Sequence, residues 1–239
     1  MRCLAPDHLA VTGDLTHLGL ATECATALDW LGEVGPSDCV SLVPGNHDRY
    51  VAAQFDRTVG LWRDYFRGDD GSTDFPFVRR RGPIALIGVD TAVPTAPFLA
   101  SGRVGDVQRE RLARALDEAR EARLFRVLML HHSPLSDGHA RRKRLSDATL
   151  LTDTLMAHGV ELVIHGHGHE ERIDRLTGPN GPMLVVAVPS ASHTEFGRSG
   201  WNRYRVSGDA GSWRLDIEAR RSAVEGFVTT ARETLTWGE

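Results

Sequence analysis

Short apolar runs alternate with segments of helical periodicity along the first two thirds of the chain. Short runs rich in apolar or β-branched residues that stop at Gly, Pro or polar residues are typical of buried strands. They predict strands over residues 8–12, 39–43, 75–80, 83–89, 125–130 and 160–164. Apolar residues spaced three and four apart are typical of amphipathic helices. They predict helices over residues 21–34, 51–66, 106–122 and 147–158.

The pattern changes after Glu170. Residues 172–176, 183–188, 203–207 and 213–219 have the composition of strands, and tight turns rich in Gly, Pro and Asn separate them. The first part of the chain is therefore βαβ-like, and the last part is typical of an antiparallel meander. Because neither a low-complexity linker nor a repeat divides the two parts, we predict a single α/β domain over residues 1–239, built on two sheets.

Composition excludes several classes of protein. The chain has 239 residues, of which 41% are hydrophobic and 25% are charged, as expected of a globular protein with a buried core. A net charge of -4 gives no general attraction to nucleic acid or to an acidic membrane, and no apolar run approaches the length of a membrane span. The first residues lack the apolar stretch of a signal peptide, and the three cysteines form no C-x-x-C pair. We therefore expect a cytoplasmic protein that binds neither membranes nor nucleic acid.

Four predicted strands end in a polar cluster. Because the carboxyl ends of parallel strands meet at one edge of a sheet, we expect these clusters to converge on a single site. The clusters are Gly13-Asp14, Gly45-Asn46-His47-Asp48, His131-His132 and His165-Gly166-His167-Gly168-His169. A carboxylate, an amide oxygen and several imidazoles together are typical of a nitrogen/oxygen metal site without thiolates.

Taken separately, most of these clusters have ordinary explanations. Gly13-Asp14 is typical of a turn, Asn46 and Asp48 are good helix N-caps, and His131-His132 fits an ordinary loop. The glycine-spaced pair His167 and His169 is harder to explain by packing, because residues two apart point to the same side of an extended chain. The joint occurrence of the four clusters favours metal coordination.

These blocks resemble those of the calcineurin-like metallophosphoesterase superfamily. The match covers Gly13-Asp14, Gly45-Asn46-His47-Asp48, His131 after a strand, and Gly166-His167-Gly168-His169, and it extends from about residue 6 to residue 220. The stretch His131-His132-Ser133-Pro134 resembles the cyclic-nucleotide phosphodiesterase-like branch. The resemblance implies a four-layer α-β-β-α sandwich with two mixed sheets and a dinuclear metal centre.

The resemblance also implies a role for each residue. Asp14 bridges the two metal ions. The other ligands of the second ion are Asn46, His131 and His167, and His169 is a ligand of the first ion. His131 is preferred to His132 because it directly follows its strand. His47 acts beside the leaving group as a general acid or charge stabiliser, and Asp48 orients it. The implied metals are divalent ions, with Mn, Fe, Zn and Co all compatible with the ligand set.

One family block has no counterpart ahead of Gly13. The family carries an Asp-x-His block on its first strand, and the only Asp-x-His here, Asp137-Gly138-His139, is interpreted as a surface turn. Without that block the first metal keeps only Asp14 and His169, so we expect one tight and one weak metal site. The favoured explanation is a truncated start. The alternatives are a genuinely shortened relative and a substitute segment, and the absent strand leaves self-association open.

The predicted activity is hydrolysis of a small phosphoester, with a metal-activated hydroxide attacking phosphorus. His193 and Arg141 are the candidate substrate-binding residues, although a plain polar loop explains His193 equally well and a solvated basic turn explains Arg141 better. The substrate itself stays open, because the loops over residues 93–104 and 137–144 have unspecific chemistry. A non-catalytic scaffold with this fold is the alternative. No G-x-S-x-G or G-x-G-x-x-G motif supports a serine hydrolase or a dinucleotide-binding enzyme.

Overall fold

Eleven strands and three α-helices make up the part of the chain described by the computed structural model, which covers residues 6–50, 55–96, 99–135, 140–209 and 211–238. The strands are β1 (Leu9–Val11), β2 (Val40–Leu42), β3 (Phe77–Arg81), β4 (Ile84–Gly88), β5 (Phe125–Met129), β6 (Leu162–His165), β7 (Arg172–Gly178), β8 (Gly181–Ala187), β9 (Gly200–Asp209), β10 (Ser212–Ala223) and β11 (Gly226–Trp237). The helices are α1 (Ala21–Val34), α2 (Asp106–Glu121) and α3 (Ala148–His158), and short 3-10 helices cover His47–Arg49, Phe55–Arg57, Val59–Phe66 and Arg141–Lys143.

A six-stranded mixed sheet forms the largest layer. Its strand order is β3-β4-β5-β6-β8-β7. The neighbours from β4 to β8 are parallel, whereas β3 and β7 run antiparallel along the two edges. The carboxyl ends of β4, β5 and β6 therefore lie side by side on one edge of the layer.

The remaining strands form two smaller sheets. β1 and β2 are a parallel pair, and β9, β10 and β11 form an antiparallel sheet with β10 in the middle. The predicted α/β class is confirmed, but the predicted two mixed sheets are three hydrogen-bonded sheets in the described residues, of which one is mixed. The four-layer order stays a prediction.

Two hydrophobic clusters lie on opposite faces of the six-stranded sheet. On β5, Phe125, Val127 and Met129 pack into the cluster that also holds α1 and the inner face of β10, whereas Leu128 packs with α2 and α3 on the other face. Burial on both faces explains why this strand is apolar at every position except Arg126.

The segment predicted as one helix over residues 51–66 differs from that prediction. Residues 51–54 lie outside the described part, and the rest forms two 3-10 helices rather than an α-helix. Trp62 and Phe66 are buried as expected, and Trp62 donates a hydrogen bond from Nε1 to the Cys24 carbonyl. A Cβ at Gly60 would lie 2.7 Å from the Phe55 carbonyl oxygen, so the tight turn between the two helices depends on this glycine.

Asp147 connects the starts of α2 and α3. α2 begins at Asp106 itself, with Gly105 in the cap position. Asp147 precedes α3, but its carboxylate accepts hydrogen bonds from the backbone N–H groups of Val104 and Gly105 instead of capping its own helix. Asp147 therefore fixes the start of α2 rather than the start of α3.

Candidate metal centre

Four of the predicted ligands meet at one point of the strand-end edge. Asp14 follows β1, Asn46 follows β2, His131 follows β5 and His167 follows β6. The His131 Nε2 atom lies 3.1 Å from Asn46 Oδ1, 3.3 Å from Asp14 Oδ2 and 3.2 Å from His167 Nδ1. Asn46 and His131 are each 1% exposed, so this point is shielded from solvent.

The facing atoms are mainly hydrogen-bond acceptors. The His131 Nδ1 atom lies 2.7 Å from the Thr12 carbonyl oxygen, which can only accept, so Nδ1 carries the hydrogen and neutral His131 presents a lone pair at Nε2. The neighbouring carboxylate and amide oxygens cannot donate either. When His131 is neutral, its Nε2 lone pair and the Asp14 and Asn46 oxygens have no hydrogen between them, which favours a shared cation: a proton on His131 or a metal ion.

The ligand set fits a divalent metal. Asn46 turns its oxygen to this point, whereas its Nδ2 is buried and makes no hydrogen bond with any described residue. Burial opposes protonation of His131, yet the Asp14 carboxylate and the Thr12 carbonyl raise its pKa above the ordinary value. One carboxylate oxygen, one amide oxygen and two imidazole nitrogens are ligands that Mn, Fe, Zn and Co all accept.

Backbone strain is concentrated at the same residues. Among the described residues, the non-glycine positions with positive φ are Asp14, His167, His169 and Arg123. Such conformations cost about 1 kcal/mol or more each and persist where surrounding structure imposes them. Three of the four are predicted metal ligands.

Two glycines allow the loops after β1 and β2 to cross closely. A Cβ at Gly45 would lie 2.1 Å from Asp14 Oδ1, and a Cβ at Gly13, whose φ is 95°, would lie 2.5 Å from the Gly45 nitrogen. The Gly-Asp and Gly-Asn pairs of the sequence therefore have a steric origin: Gly45 makes room for the Asp14 carboxylate, and Gly13 makes room for the backbone of Gly45.

Asp48 contacts the loops after β1 and β2. Its buried carboxylate accepts hydrogen bonds from the backbone N–H groups of Asp14, Thr16 and Gly45, and from the Thr16 hydroxyl. It makes no hydrogen bond to the His47 ring among the described residues. Asp48 therefore fixes the loop that carries Asp14, and a role for it in orienting His47 stays a prediction.

His47 lies beside the four converging ligands and is oriented by other groups. Its Nδ1 donates to the His17 carbonyl oxygen at 2.7 Å, and its backbone N–H donates to Asp14 Oδ1 at 3.0 Å. The His17 ring stacks on it at a centroid distance of 5.5 Å, and the Tyr50 ring meets it edge-on at 4.9 Å. This arrangement leaves Nε2 of a half-exposed imidazole without a hydrogen-bond partner in the described structure.

His132 is close to the site but its ring nitrogens are engaged elsewhere. Ligand atoms of His131, His132 and His167 lie within 4.8 Å of one another. However, His132 Nε2 donates to the Ala100 carbonyl, which leaves Nδ1 to accept from the Thr91 hydroxyl. Burial lowers its pKa well below the ordinary value, so it stays neutral. The geometry favours His131 as the ligand, as the sequence predicted.

The remaining predicted residues lie farther out. His169 is exposed, and it follows His167 into the segment after β6. His193 accepts a hydrogen bond at Nδ1 from the Glu195 N–H, and none of its described contacts reaches the four converging ligands. The Arg141 backbone belongs to the 3-10 helix Arg141–Lys143, and its side chain is outside the described structure, as is the whole of Asp137-Gly138-His139.

Asp90 was missed by the sequence analysis. It lies two residues beyond β4, on the same edge, and burial raises its pKa to about 6 although the Arg49 guanidinium, 3.4 Å away, lowers it. Asp90 follows an apolar strand, as Asp14 does. The same criterion, a polar residue directly after a buried strand, therefore also indicates Asp90.

Comparison with known proteins identifies the family of the chain. The family model described as calcineurin-like phosphoesterase matches residues 2–171. The chain belongs to this family. The predicted family and its class of enzyme, a hydrolase of phosphoesters, are therefore confirmed. The family implies divalent metal cofactors, and none of the described helices is long and apolar enough to cross a bilayer.

Two relatives illustrate the similarity. A probable cyclic nucleotide phosphodiesterase of Synechococcus sp. is 28% identical over 222 residues, which cover 89% of this chain and 76% of the relative. A dimetal phosphatase from Danio rerio has a similar fold, with a TM-score of 0.68, 15% identity, and coverage of 99% of this chain and 86% of that one. At this identity the second likeness shows the fold alone.

Proposed function

We propose that the protein is a metal-dependent phosphodiesterase that hydrolyses a small phosphoester. The observation that carries the proposal is the convergence of Asp14 Oδ2, Asn46 Oδ1 and His167 Nδ1 on His131 Nε2, within 3.3 Å, at the strand-end edge. The curated relative is named a probable cyclic nucleotide phosphodiesterase, which supports a diester as the substrate class.

The four converging residues would hold the metal ion. A bound divalent ion supplies Lewis-acid stabilisation of charge on phosphoryl oxygens and lowers the pKa of a water nucleophile. The protein supplies the position of that ion. Asp48 fixes the loop of Asp14, and the Thr12 carbonyl holds the His131 ring with Nε2 facing inward. Residues that orient ligands in this way contribute about 10- to 100-fold to metal affinity or activity in other sites.

His47 would act on the leaving group. The His17 carbonyl fixes one ring nitrogen, and the two aromatic neighbours restrict the ring, so the outward nitrogen is held ready to transfer a proton or to stabilise charge. This is the role predicted from the sequence, and the His17 backbone is an orienting group.

We further propose that one metal binds much more tightly than a second. Asp14, Asn46, His131 and His167 supply four ligands to one ion. A second ion beside Asp14 would have His169, which is exposed, as its other ligand among the described residues. Ion sites with fewer than three protein ligands bind weakly as a rule.

The test is hydrolysis of bis(p-nitrophenyl) phosphate by the metal-free protein after addition of Mn²⁺. We expect turnover that depends on the metal and that falls by about 100-fold or more in His47→Ala. His158→Ala is the matched control, because His158 ends α3 and pairs with Asp117 away from the site. Absence of turnover at full metal loading, or an unaffected His47→Ala, would overturn the proposal in favour of a non-catalytic scaffold.

A further inference from the structure

An ion pair between two sheets lies beside the metal centre. Arg49 Nη1 is 3.4 Å from Asp90 Oδ2, and the two side chains are only 25% and 14% exposed. Arg49 ends the 3-10 helix His47–Arg49 in the loop after β2, whereas Asp90 follows β4 of the six-stranded sheet. The pair therefore connects the loop that carries Asn46 and His47 with the largest sheet.

Strand register makes Asp90 the lateral neighbour of His131. The last residues of β4 and β5 are register partners, and Asp90 and His131 each lie two residues beyond them. The next residue of each strand end is also in contact, because Thr91 Oγ1 lies 2.8 Å from His132 Nδ1. Asp90 thus stands next to a candidate metal ligand.

Gln108 of α2 holds the backbone of Asp90 from both sides. The Asp90 N–H donates to Gln108 Oε1 at 2.8 Å, and Gln108 Nε2 donates to the Asp90 carbonyl at 2.8 Å. One carboxylate oxygen, Oδ1, accepts from the Ala92 N–H at 2.8 Å. Asp90 therefore presents its other oxygen, Oδ2, to Arg49 in a fixed position.

The 3-10 helix that carries His47 is a single turn with long hydrogen bonds of its own. The Asp48 N–H donates to the Gly45 carbonyl at 3.2 Å, and the Arg49 N–H donates to the Asn46 carbonyl at 3.3 Å. Because hydrogen-bond geometry in a 3-10 turn is poor, the position of this helix depends on contacts with its surroundings.

Those contacts hold the helix at both ends. At its first residue, the His47 N–H donates to Asp14 Oδ1 at 3.0 Å. At its last residue, the Arg49 guanidinium pairs with Asp90 and lies over the Phe55 ring, 5.2 Å from the ring centroid. One end is thus fixed by a candidate metal ligand, and the other end is fixed by the Arg49–Asp90 pair.

We propose that Arg49 and Asp90 are positioning residues that hold the 3-10 helix in place and thereby keep the His47 ring beside the leaving group. This inference rests on the proposed phosphodiesterase function and on the role of His47 in it. Neither side chain has to touch the substrate, because a small displacement of a catalytic group is enough to reduce the rate.

The first test separates kcat from KM. Arg49→Met removes the charge and keeps much of the stem, and Asp90→Asn removes the charge with little change of shape. In each variant we expect kcat for bis(p-nitrophenyl) phosphate to fall about tenfold, with KM and metal content unchanged within about twofold. The double variant should be no slower than the slower single variant, and Arg49→Lys should keep most of the activity. A rise in KM with unchanged kcat would overturn the proposal, because Arg49 would then bind the substrate itself.

The second test repeats the substitution in a background without His47. A residue that acts through His47 loses its effect when that ring is absent, so Arg49→Met should change kcat of the His47→Ala variant by less than about twofold. A full tenfold loss in that background would overturn the proposal. Asp64→Asn is the matched control, because it breaks an exposed ion pair with Arg67. It should leave kcat unchanged in both backgrounds.

Nuclear magnetic resonance of the metal-free protein separates this inference from the proposed function. Because Nδ1 of His47 donates to the His17 carbonyl, the neutral ring is held in one tautomer. In protein labelled with ¹⁵N-histidine at about pH 9, where histidine is neutral, the ring nitrogen signals report that tautomer, and the His47→Ala variant identifies them. Arg49→Met and Asp90→Asn should shift these signals toward the tautomer mixture of an unconstrained ring. Unchanged signals would overturn the inference even if the diester is hydrolysed, whereas shifted signals in a protein without turnover would overturn only the proposed function.

Discussion

Buried polar groups lie at both ends of strands β5 and β6, but their hydrogen bonds are matched at only one end. At the amino end, Arg126 and Glu161 form a buried ion pair in which Glu161 accepts from the Arg126 backbone N–H, Nε and Nη2. The remaining guanidinium nitrogen, Nη1, donates to the His158 carbonyl at 3.0 Å. At the carboxyl end, neutral His131 turns an Nε2 lone pair toward the Asp14 and Asn46 oxygens, which also only accept.

The difference separates structural from functional burial. A buried polar group whose donors and acceptors are matched does not need a bound ion, and its role is to hold neighbouring elements in place. A buried hydrogen-bond acceptor that faces only other acceptors has a free-energy cost in the folded protein. A bound ion would remove that cost. Satisfaction of hydrogen bonds, more than burial or charge, thus distinguishes the two ends of the same strands.

The largest expected effect is on stability at the amino end. Arg126→Met leaves the Glu161 carboxylate buried without its partner, so the free energy of unfolding should fall by about 3–5 kcal/mol. Urea denaturation of the metal-free protein measures this. The double variant Arg126→Met/Glu161→Leu should recover most of the loss, whereas His131→Gln should cost less than about 1 kcal/mol without metal. A larger loss of stability in His131→Gln would show that the carboxyl end also has a structural role.

The next effect is on metal content and activity at the carboxyl end. His131→Gln should lose bound metal and reduce kcat/KM by more than about 100-fold, the upper range for residues that only orient ligands. His132→Gln should reduce kcat/KM by about 10- to 100-fold, and this variant should retain the metal. Elemental analysis together with hydrolysis of bis(p-nitrophenyl) phosphate measures both. Loss of metal in the His132 variant alone would reverse the ligand assignment.

Metal binding should then stabilise the fold. At a free metal concentration 100 times the Kd, the free energy of unfolding should increase by about 2.7 kcal/mol. Calorimetric titration should show one tight site per chain, and Asn46→Ala should weaken it. Two equally tight sites would contradict the expectation of a single strong position.

The smallest effect concerns His8, a half-buried imidazole just before β1 whose Nε2 lies 2.8 Å from the Ser41 hydroxyl. Burial and the charges of Arg81 and Arg79 lower its pKa from 6.5 to about 4. The unfolded chain protonates His8 at a higher pH than the folded chain does. The free energy of unfolding therefore has its full value above pH 6.5 and decreases as the pH falls toward 4. The loss should be on the order of 2 kcal/mol.

His8→Gln should flatten this part of the stability profile, measured by thermal unfolding between those two pH values. His158→Gln, at the surface-facing end of α3, is the control and should leave the profile in place. An unchanged acid limb in the His8 variant would show that other groups cause the loss.

Much of the site could be predicted from the sequence because its ligands follow strands. The apolar runs before Asp14, Asn46, His131 and His167 indicate strand ends, and the edge where those ends meet follows from general topology. Asp90 obeys the same rule and was overlooked because a single carboxylate after a strand resembles an ordinary turn.

Other features could not be predicted because they depend on tertiary contacts. The missed strand β11 has few core-facing apolar residues, chiefly Leu235 and Trp237, and its remaining positions are polar enough to resemble a loop. The partners of Asp48 and His47 depend on how the loops after β1 and β2 cross. Residue type alone suggests that an Asp beside a His orients it, whereas in the folded chain backbone N–H groups occupy the carboxylate first.

The left-handed conformations of Asp14, His167 and His169 have a consequence for the history of the sequence. Glycine or asparagine would occupy each position with less strain, so drift under selection for folding alone would replace these residues early. Their presence together in one chain therefore has a cost in stability that a bound ion would offset. Any relative that has lost its chemistry should show the replacement first at these three positions, before the hydrophobic core changes.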